Sequence, residues 1–485
     1  MHSETPDIVP FTSPLRRELL SKIQLESLKN GTLHLLEEVG IQFPSRKALE
    51  IFADHGAHVD MEKQIVRIPP DLVKKAMSRA PRAFVLAGRE ERFDLLLDGA
   101  CSYICTAGTG VHVIDMETHE RRASRKEDLV RIARVADALP MISFLWSTVT
   151  SQDHGRSAPV HDCHAMLTST LKHVRGGTTV FPQLAPYIVE MATVVAGSEE
   201  NRRKRPPINA NICTIAPLAH DKHGIECALT YAEAGIPVSF MAMPTMFSTG
   251  PASPLGALVV GDAEVVSGMV LIQLAYPGAP VFHSVYVSIM DPRTGGYISK
   301  VPLPLNMMSV ELAHAWNVPS LGGARMGSDA LDIGWQSGME ATMGAAQLAL
   351  CRGEICGNIG LLGGSMIFYP EQIVLDHEIC LIVYELMHEF EFDELDMCLD
   401  VIKRVGPRNT FLTEEHTIQH LRDFRLSPLL NRQSDEGNPR DPRGLALEEF
   451  KRINESHYPE SLPKEVLVEL DLIIAAADKE VKIIS

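Results

Sequence analysis

The sequence predicts a (β/α)8 barrel, an α/β fold with added N- and C-terminal segments, on three observations. Between residues 101 and 390 an apolar strand-like run followed by a helix-like run recurs eight times. The runs begin roughly 28 to 44 residues apart, the length of one strand, one helix and two loops. The strand ends are rich in hydroxyl, amide, aromatic and glycine residues, and it is at the C-terminal ends of its strands that this fold carries chemistry.

The strands are expected at 103–109, 144–150, 173–180, 208–216, 237–243, 280–288, 319–325 and 354–362. Each is short, apolar and bounded by Gly, Pro or polar clusters, as strands buried on both faces read. Between them, a capping box of Ser124 and Glu127 opens a helix that continues through Leu129, Ile132, Val135 and Ala136. Further helices are expected at 160–171, 220–234, 260–276, 305–316, 336–351 and 371–389.

Residues 1–100 form an N-terminal α+β extension. Leu19, Leu20, Ile23, Leu28, Leu35 and Leu36 give helical periodicity over 16–39, and Gly40 stops it. Ser45 caps a second helix, 57–67 reads as a hairpin, Pro70 opens a third helix, and 83–88 pairs with 92–97. Residues 391–485 form a helical C-terminal extension. Its helices are expected at 393–405, 413–424 (capped by Thr413), 443–455 and 463–479, with a polar linker at 432–442.

A chain of 485 residues suits a barrel with extensions. Its net charge of −17, with no basic stripe beyond the run at 202–205, argues against a nucleic-acid surface. That run reads as a solvated loop. No uninterrupted apolar run of about 18 residues suggests a membrane span, and the N-terminus lacks the pattern of a signal peptide. Nine cysteines, odd in number and without CxxC pairs, read as reduced thiols. The expected location is cytoplasmic.

Aromatic residues are only 6% of the chain, yet Tyr103, Trp146, Phe247, Tyr286, Phe368 and Tyr369 gather at the strand ends, with Trp335 just beyond. An aromatic cavity with few fixed charges holds a quaternary ammonium through attraction to ring faces; the alternative is that the rings pack the barrel mouth. His161 and His164, on either side of Asp162 and Cys163, are the densest set of potential metal ligands, but no zinc spacing accompanies them. The glycine pairs at 176–177, 322–323 and 363–364 lack the rest of a nucleotide fingerprint and read as points of close backbone approach.

Ser328-Asp329, Gln336, Glu340, Gly363-Gly364 and the run Glu371-Gln372 to Asp376 and Glu378 together resemble the trimethylamine methyltransferase family. Val405-Gly406-Pro407, Phe411-Leu412-Thr413, His416-Thr417 and the early Leu36 to Ile41 stretch match the same pattern, so the resemblance covers essentially the whole chain. It implies a (β/α)8 barrel that moves a methyl group from a methylated amine to the cobalt of a separate corrinoid protein. The founding members carry pyrrolysine, whereas this chain has only standard residues. It therefore resembles the non-pyrrolysine branch, which implies a quaternary amine such as glycine betaine, proline betaine or carnitine, a cognate corrinoid protein as partner, no tightly held cofactor, and a homo-oligomer.

A quaternary amine leaves as a neutral tertiary amine and needs no general acid, so the task left to the protein is positioning. Tyr103, Trp146, Phe247, Trp335, Phe368 and Tyr369 are candidates for the aromatic cage, with Thr106, Asn211 and Gln336 as neutral contacts. Arg325 and His283 are candidate donors to a carboxylate. Asp329 is the candidate to face the cation and, with His283, to take a direct part in the chemistry. Competing readings are a metal-dependent barrel lyase or hydrolase built on His161, His164, His283 and the acidic 329–332 loop, and a non-catalytic binder of quaternary amines.

Overall fold

The computed structural model describes residues 3–178, 181–301, 303–387, 392–423, 425–430 and 440–484. Most of the expected linker at 432–442 lies outside these residues, as do the last residues of the runs expected at 173–180, 371–389 and 413–424.

Eight parallel strands form the barrel: β1 (Tyr103–Thr106), β2 (Ile142–Trp146), β3 (His173–Gly177), β4 (Ile208–Ile215), β5 (Val238–Ala242), β6 (Val281–Val285), β7 (Leu321–Arg325) and β8 (Ile355–Ile359). They hydrogen-bond in the order β7-β8-β1-β2-β3-β4-β5-β6. A parallel bridge between His283 and Ser320 brings β6 round to β7. Outside them lie α1 (Lys126–Ala138), α2 (Ala158–Ser169), α3 (Ala185–Ala196), α4 (Lys222–Glu233), α5 (Pro254–Ala275), α6 (Leu305–Ala315), α7 (Trp335–Cys351) and α8 (Pro370–Leu386).

The two-residue period of a strand decides what faces the lumen. Tyr103 and Cys105, Phe144 and Trp146, Met241, Phe282, Leu321 and Ile355 meet inside the barrel. Their neighbours Ile104, Leu145, Val174, Val238 and Val281 join the larger core with the helices. A hairpin of Phe84–Leu86 and Leu95–Leu97 closes the bottom. Leu86, Leu95 and Leu97 join the lumen cluster, and the Phe84 ring stacks on Phe282 at 5.7 Å. Solutes therefore enter from the C-terminal end of the strands.

Helix α5 is long and apolar enough to cross a membrane, but 83% of its apolar window is buried inside the protein. The C-terminal helices α9 (Pro442–Ser456) and α10 (Lys464–Ile484) pack on α8 and on α2 and α3 respectively.

Several local expectations are corrected. Ser124 does not cap α1; its hydroxyl donates to the Thr150 carbonyl at 2.7 Å. Arg125 holds the N-cap position, its N–H donating to the Asp128 carboxylate at 2.9 Å. Helix α3 was not anticipated, because Val189, Thr193, Val194 and Val195 make its sequence read as a strand. The basic run at 202–205 belongs largely to a short helix, Glu199–Lys204, and Arg202 is buried with its Nε donating to the Ala234 carbonyl at 3.1 Å. The first helix starts at Lys22 under a Ser21–Gln24 capping box. The span 393–405 breaks at Cys398, whose φ is 47°. The helix expected at 413–424 is Glu415–His420, with Glu414 rather than Thr413 at its N-cap.

Gly344 lets α7 lie directly on the end of β7: a Cβ there would stand 2.5 Å from the Arg325 carbonyl oxygen. Backbone cannot yield as a side-chain tip can, so Gly344→Ala is expected to cost about 1–3 kcal/mol. The check is a lower urea midpoint with an unchanged slope.

Candidate active site

The strand ends enclose a cavity of about 790 Å³. Trp146 from β2, Asn211 and Cys213 from β4, Met241 from β5, Arg325 from β7 and Asn358 from β8 line it, with Tyr286 just past β6 and Met243, Tyr297 and Met366 from the surrounding loops. Another cavity of about 590 Å³, lined by Arg89, Glu91, Lys204, Arg205 and Glu460, lies outside the lumen and touches none of these strand ends. Unlike that one, the lumen cavity brings aromatic, thioether and donor groups together at the strand ends.

One guanidinium lines this cavity and a second lies against one of its lining rings. Arg325 donates to the Ser365 hydroxyl at 2.8 Å and to the Tyr297 hydroxyl at 3.3 Å, which places it at the mouth. Arg175, on β3, is fully buried on the rings of Trp146 (4.5 Å) and Phe144 (5.5 Å). Burial pulls its pKa down to about 10. None of its three nitrogens has a hydrogen-bond partner among the described residues, and neither does Trp146 Nε1. Buried donors are nearly always paired, so these unmet ones call for explanation.

Asp221 also lines the cavity, its carboxylate accepting from the Gly224 N–H at 2.7 Å at the start of α4. Burial pushes the Cys105 thiol and the Tyr286 phenol upward. Neither the thiol nor the phenol is poised as a nucleophile or base at neutral pH.

Among the residues singled out from sequence, Trp146, Asn211, Tyr286 and Arg325 line the cavity. Asn211 is fixed by a hydrogen bond from the Ser239 hydroxyl. The rest are elsewhere. Tyr103 packs lower in the lumen cluster. Thr106 ties β1 to β2, donating to the Trp146 carbonyl at 2.8 Å and accepting from its N–H at 2.9 Å. His283 points outward to Asp262 on α5 at 2.7 Å, because Phe282 takes the lumen side and a strand alternates. It therefore cannot serve a substrate in the cavity.

Asp329 is occupied by the loop before α6, accepting from the Ser299 N–H (2.7 Å), the Ser299 hydroxyl (2.6 Å) and the Lys300 N–H (3.1 Å). It is not placed to face a cation. Phe247 and Trp335 are rim residues, 51% and 81% exposed. Gln336 is exposed and donates to Glu340 at 3.0 Å. Phe368 packs beside Phe450 of α9, ring centres 6.2 Å apart. The Tyr369 hydroxyl donates to the Leu331 carbonyl at 2.7 Å. His161 and His164 lie on α2 against Asp478 (3.1 Å) and Asp471 (3.4 Å) of α10, so they do not converge with His283.

Comparison with known proteins decides the class. Residues 5–474 match the family model described as trimethylamine methyltransferase (MTTB). The trimethylamine methyltransferase MttB of Desulfitobacterium hafniense is 32% identical over 94% of this chain and 93% of its own length. MttB of Methanosarcina barkeri is 29% identical over 95% of each. The glycine betaine methyltransferase of Desulfitobacterium hafniense is 28% identical over 96% of this chain and 98% of its own. The chain belongs to the trimethylamine methyltransferase family.

The motif residues of this methyltransferase turn out to shape the mouth of the barrel. Glu340 accepts from the Ser328 hydroxyl at 2.5 Å and from the Asp329 N–H at 2.9 Å. The Gly363 and Gly364 N–H groups donate to the carbonyls of Ala330 and Ser328. Asp376 accepts from the Gly360 N–H at 2.8 Å and from Gln372 at 2.7 Å. These bonds knit the loops after β7 and β8 into one rim.

Sequence reasoning missed Arg175, Tyr297, Met241 and Met366. Arg175 did leave a signal, as a lone charge inside an apolar strand. Tyr297 left none, since it reaches the cavity only through the long loop after β6.

Proposed function

We propose that this methyltransferase takes its methyl group from a betaine-type quaternary amine, one that carries a carboxylate, and delivers it to the Co(I) of a corrinoid held by a separate protein. The observation that carries this reading is the mixture of groups in the lumen cavity. Ring faces and thioethers (Trp146, Tyr286, Tyr297, Met241, Met243, Met366) share the wall with the N–H donors of Arg325 and Asn211. The first set suits an alkylated ammonium, the second a carboxylate. A named glycine betaine methyltransferase among the relatives supports it.

When a corrinoid partner is bound, its Co(I) supplies the nucleophile. This chain fits that division of labour, because burial keeps the Cys105 thiol and the Tyr286 phenol of the lumen protonated. Its residues would hold the ammonium against ring faces, point one N-methyl toward the mouth, and keep water out. The amine leaves neutral, so no side chain has to donate a proton. Exposed Ile215, Met243, Phe247, Leu331, Trp335 and Met366 on the barrel-end loops give a partner an apolar surface to dock on.

The test is an anaerobic assay for methylation of Co(I), free or on corrinoid proteins, followed at its absorption bands. Glycine betaine, proline betaine, carnitine, γ-butyrobetaine, choline and trimethylamine form the panel. Turnover of a carboxylated quaternary amine is expected; turnover of trimethylamine or choline alone would sink the betaine reading. Binding without turnover on any corrinoid would favour a non-catalytic binder.

A further inference from the structure

Resting on the betaine reading, we propose that Arg175, at the floor of the cavity, binds the substrate carboxylate, and so turns the ammonium head up toward the open mouth. Arg175 is the third of the five residues of β3, flanked by Val174 and Gly176. Its nearest titratable neighbours are Cys105, Cys213 and Tyr286, so no carboxylate of the protein offsets its charge. Cys213 and Tyr286 line the cavity, as does Trp146, whose ring lies on the guanidinium. The group therefore sits directly beneath the cavity floor.

The two rings lie against the guanidinium, and its unbonded N–H edge is the part that recognises a carboxylate in bidentate fashion. Trp146 Nε1, on the neighbouring strand β2, and the Ser284 hydroxyl, on β6, also lack partners among the described residues. Elsewhere the fold satisfies its buried cations. Lys172 donates to the carbonyls of Ala136, Leu139 and Ile142 at 2.7–3.0 Å. Arg202 donates to the Ala234 carbonyl and the Thr193 hydroxyl. An uncompensated guanidinium inside a barrel is costly, and a bound anion removes the cost.

Depth separates Arg175 from Arg325. Arg325 is the last residue of its strand and is already engaged by Tyr297 and Ser365 at the mouth. A carboxylate held there would send the N-methyls to the floor, away from the side on which a methyl acceptor must arrive. A carboxylate held by Arg175 does the reverse. The positive floor repels the ammonium as it draws the carboxylate, so the zwitterion enters with one orientation.

The experiment compares wild type, Arg175→Met, Arg175→Lys and Arg325→Met by calorimetric titration with glycine betaine and with choline, which has a hydroxymethyl group in place of the carboxylate. Wild type is expected to prefer betaine. Arg175→Met should lose betaine affinity by on the order of a hundredfold while choline binding holds or improves. Arg175→Lys should recover part of the loss. Without ligand, Arg175→Met should melt at the same temperature as wild type or higher, since a lone buried charge has gone. Unchanged betaine affinity in Arg175→Met, or a larger loss in Arg325→Met, would overturn the assignment and leave the betaine reading standing. Equal binding of betaine and choline by wild type would overturn both. If Arg175→Met does not fold, Arg175→Lys decides: a betaine-specific loss supports the proposal, and equal losses for betaine and choline refute it.

Discussion

Replacing Trp146 with leucine is expected to reduce methyl transfer about a thousandfold while the protein stays folded. The indole is clamped: one face lies on the Arg175 guanidinium at 4.5 Å, and a Cβ added to Gly108 would stand 2.5 Å from the ring. Only 7% of the residue is exposed, and it lines the cavity. A desolvated cation–π contact contributes about 2 kcal/mol, roughly thirtyfold in rate. Loss of alignment in a reaction that depends on positioning adds about another hundredfold at most. Trp146→Phe should retain more activity than Trp146→Leu, because a ring face survives. Gly108→Ala should fall between wild type and Trp146→Leu, since its methyl pushes the same ring. The measurement is kcat/KM for betaine-dependent Co(I) methylation, with near-ultraviolet circular dichroism to confirm folding. Activity of Trp146→Leu within threefold of wild type would remove the indole from the site.

The barrel was legible because each strand is buried on both faces and bounded by chain-breaking residues. The run expected at 237–243 proves to be Val238–Ala242, and that at 319–325 ends at Arg325 as expected. The hairpin at the bottom was legible for a similar reason, as two short alternating runs around a charged turn. The site was less so. Facing is set by registration within the closed sheet: His283 sits one residue from Phe282 and Ser284, and that single step sends it to Asp262 rather than into the lumen. Phe247, Trp335, Phe368 and Tyr369 follow strand ends in the sequence, but their loops fold over the rim and carry the rings away from the cavity. Periodicity has no hold on loop paths. A strand-end pattern does not point to Arg175, because it lies inside β3 rather than at its end.

Removing the Asp137 carboxylate, as Asp137→Ala, is expected to cost about 3–5 kcal/mol, a large part of the ~5–15 kcal/mol that holds a typical domain folded. Asp137 lies wholly buried at the end of α1. It accepts from the Thr5 hydroxyl (2.6 Å), the Thr170 hydroxyl (2.6 Å), the Leu171 N–H (2.8 Å) and His457 Nε2 (2.7 Å). One carboxylate thus joins the N-terminal segment, the loop before β3 and the C-terminal segment. Burial works to raise its pKa, but the His457 hydrogen bond, the Lys172 charge and the two threonines outweigh it, and the net direction is down. Glu354 behaves alike. Burial opposes, yet bonds from His314 and Ser320 hold it at about 2 against an ordinary 4.5. A folded pKa below the unfolded one gives stability that is full above the unfolded value and fades as pH falls through the folded value. Urea midpoints of wild type should therefore drop between about pH 4.5 and pH 2, and the Asp137→Ala midpoint should drop less steeply there, having one such carboxylate fewer. A loss under about 1 kcal/mol, or parallel pH profiles, would mean that neighbouring groups replace the lost bonds. The geometry argues against that, because the four donors reach Asp137 from three separate stretches of chain and share no other acceptor among the described residues.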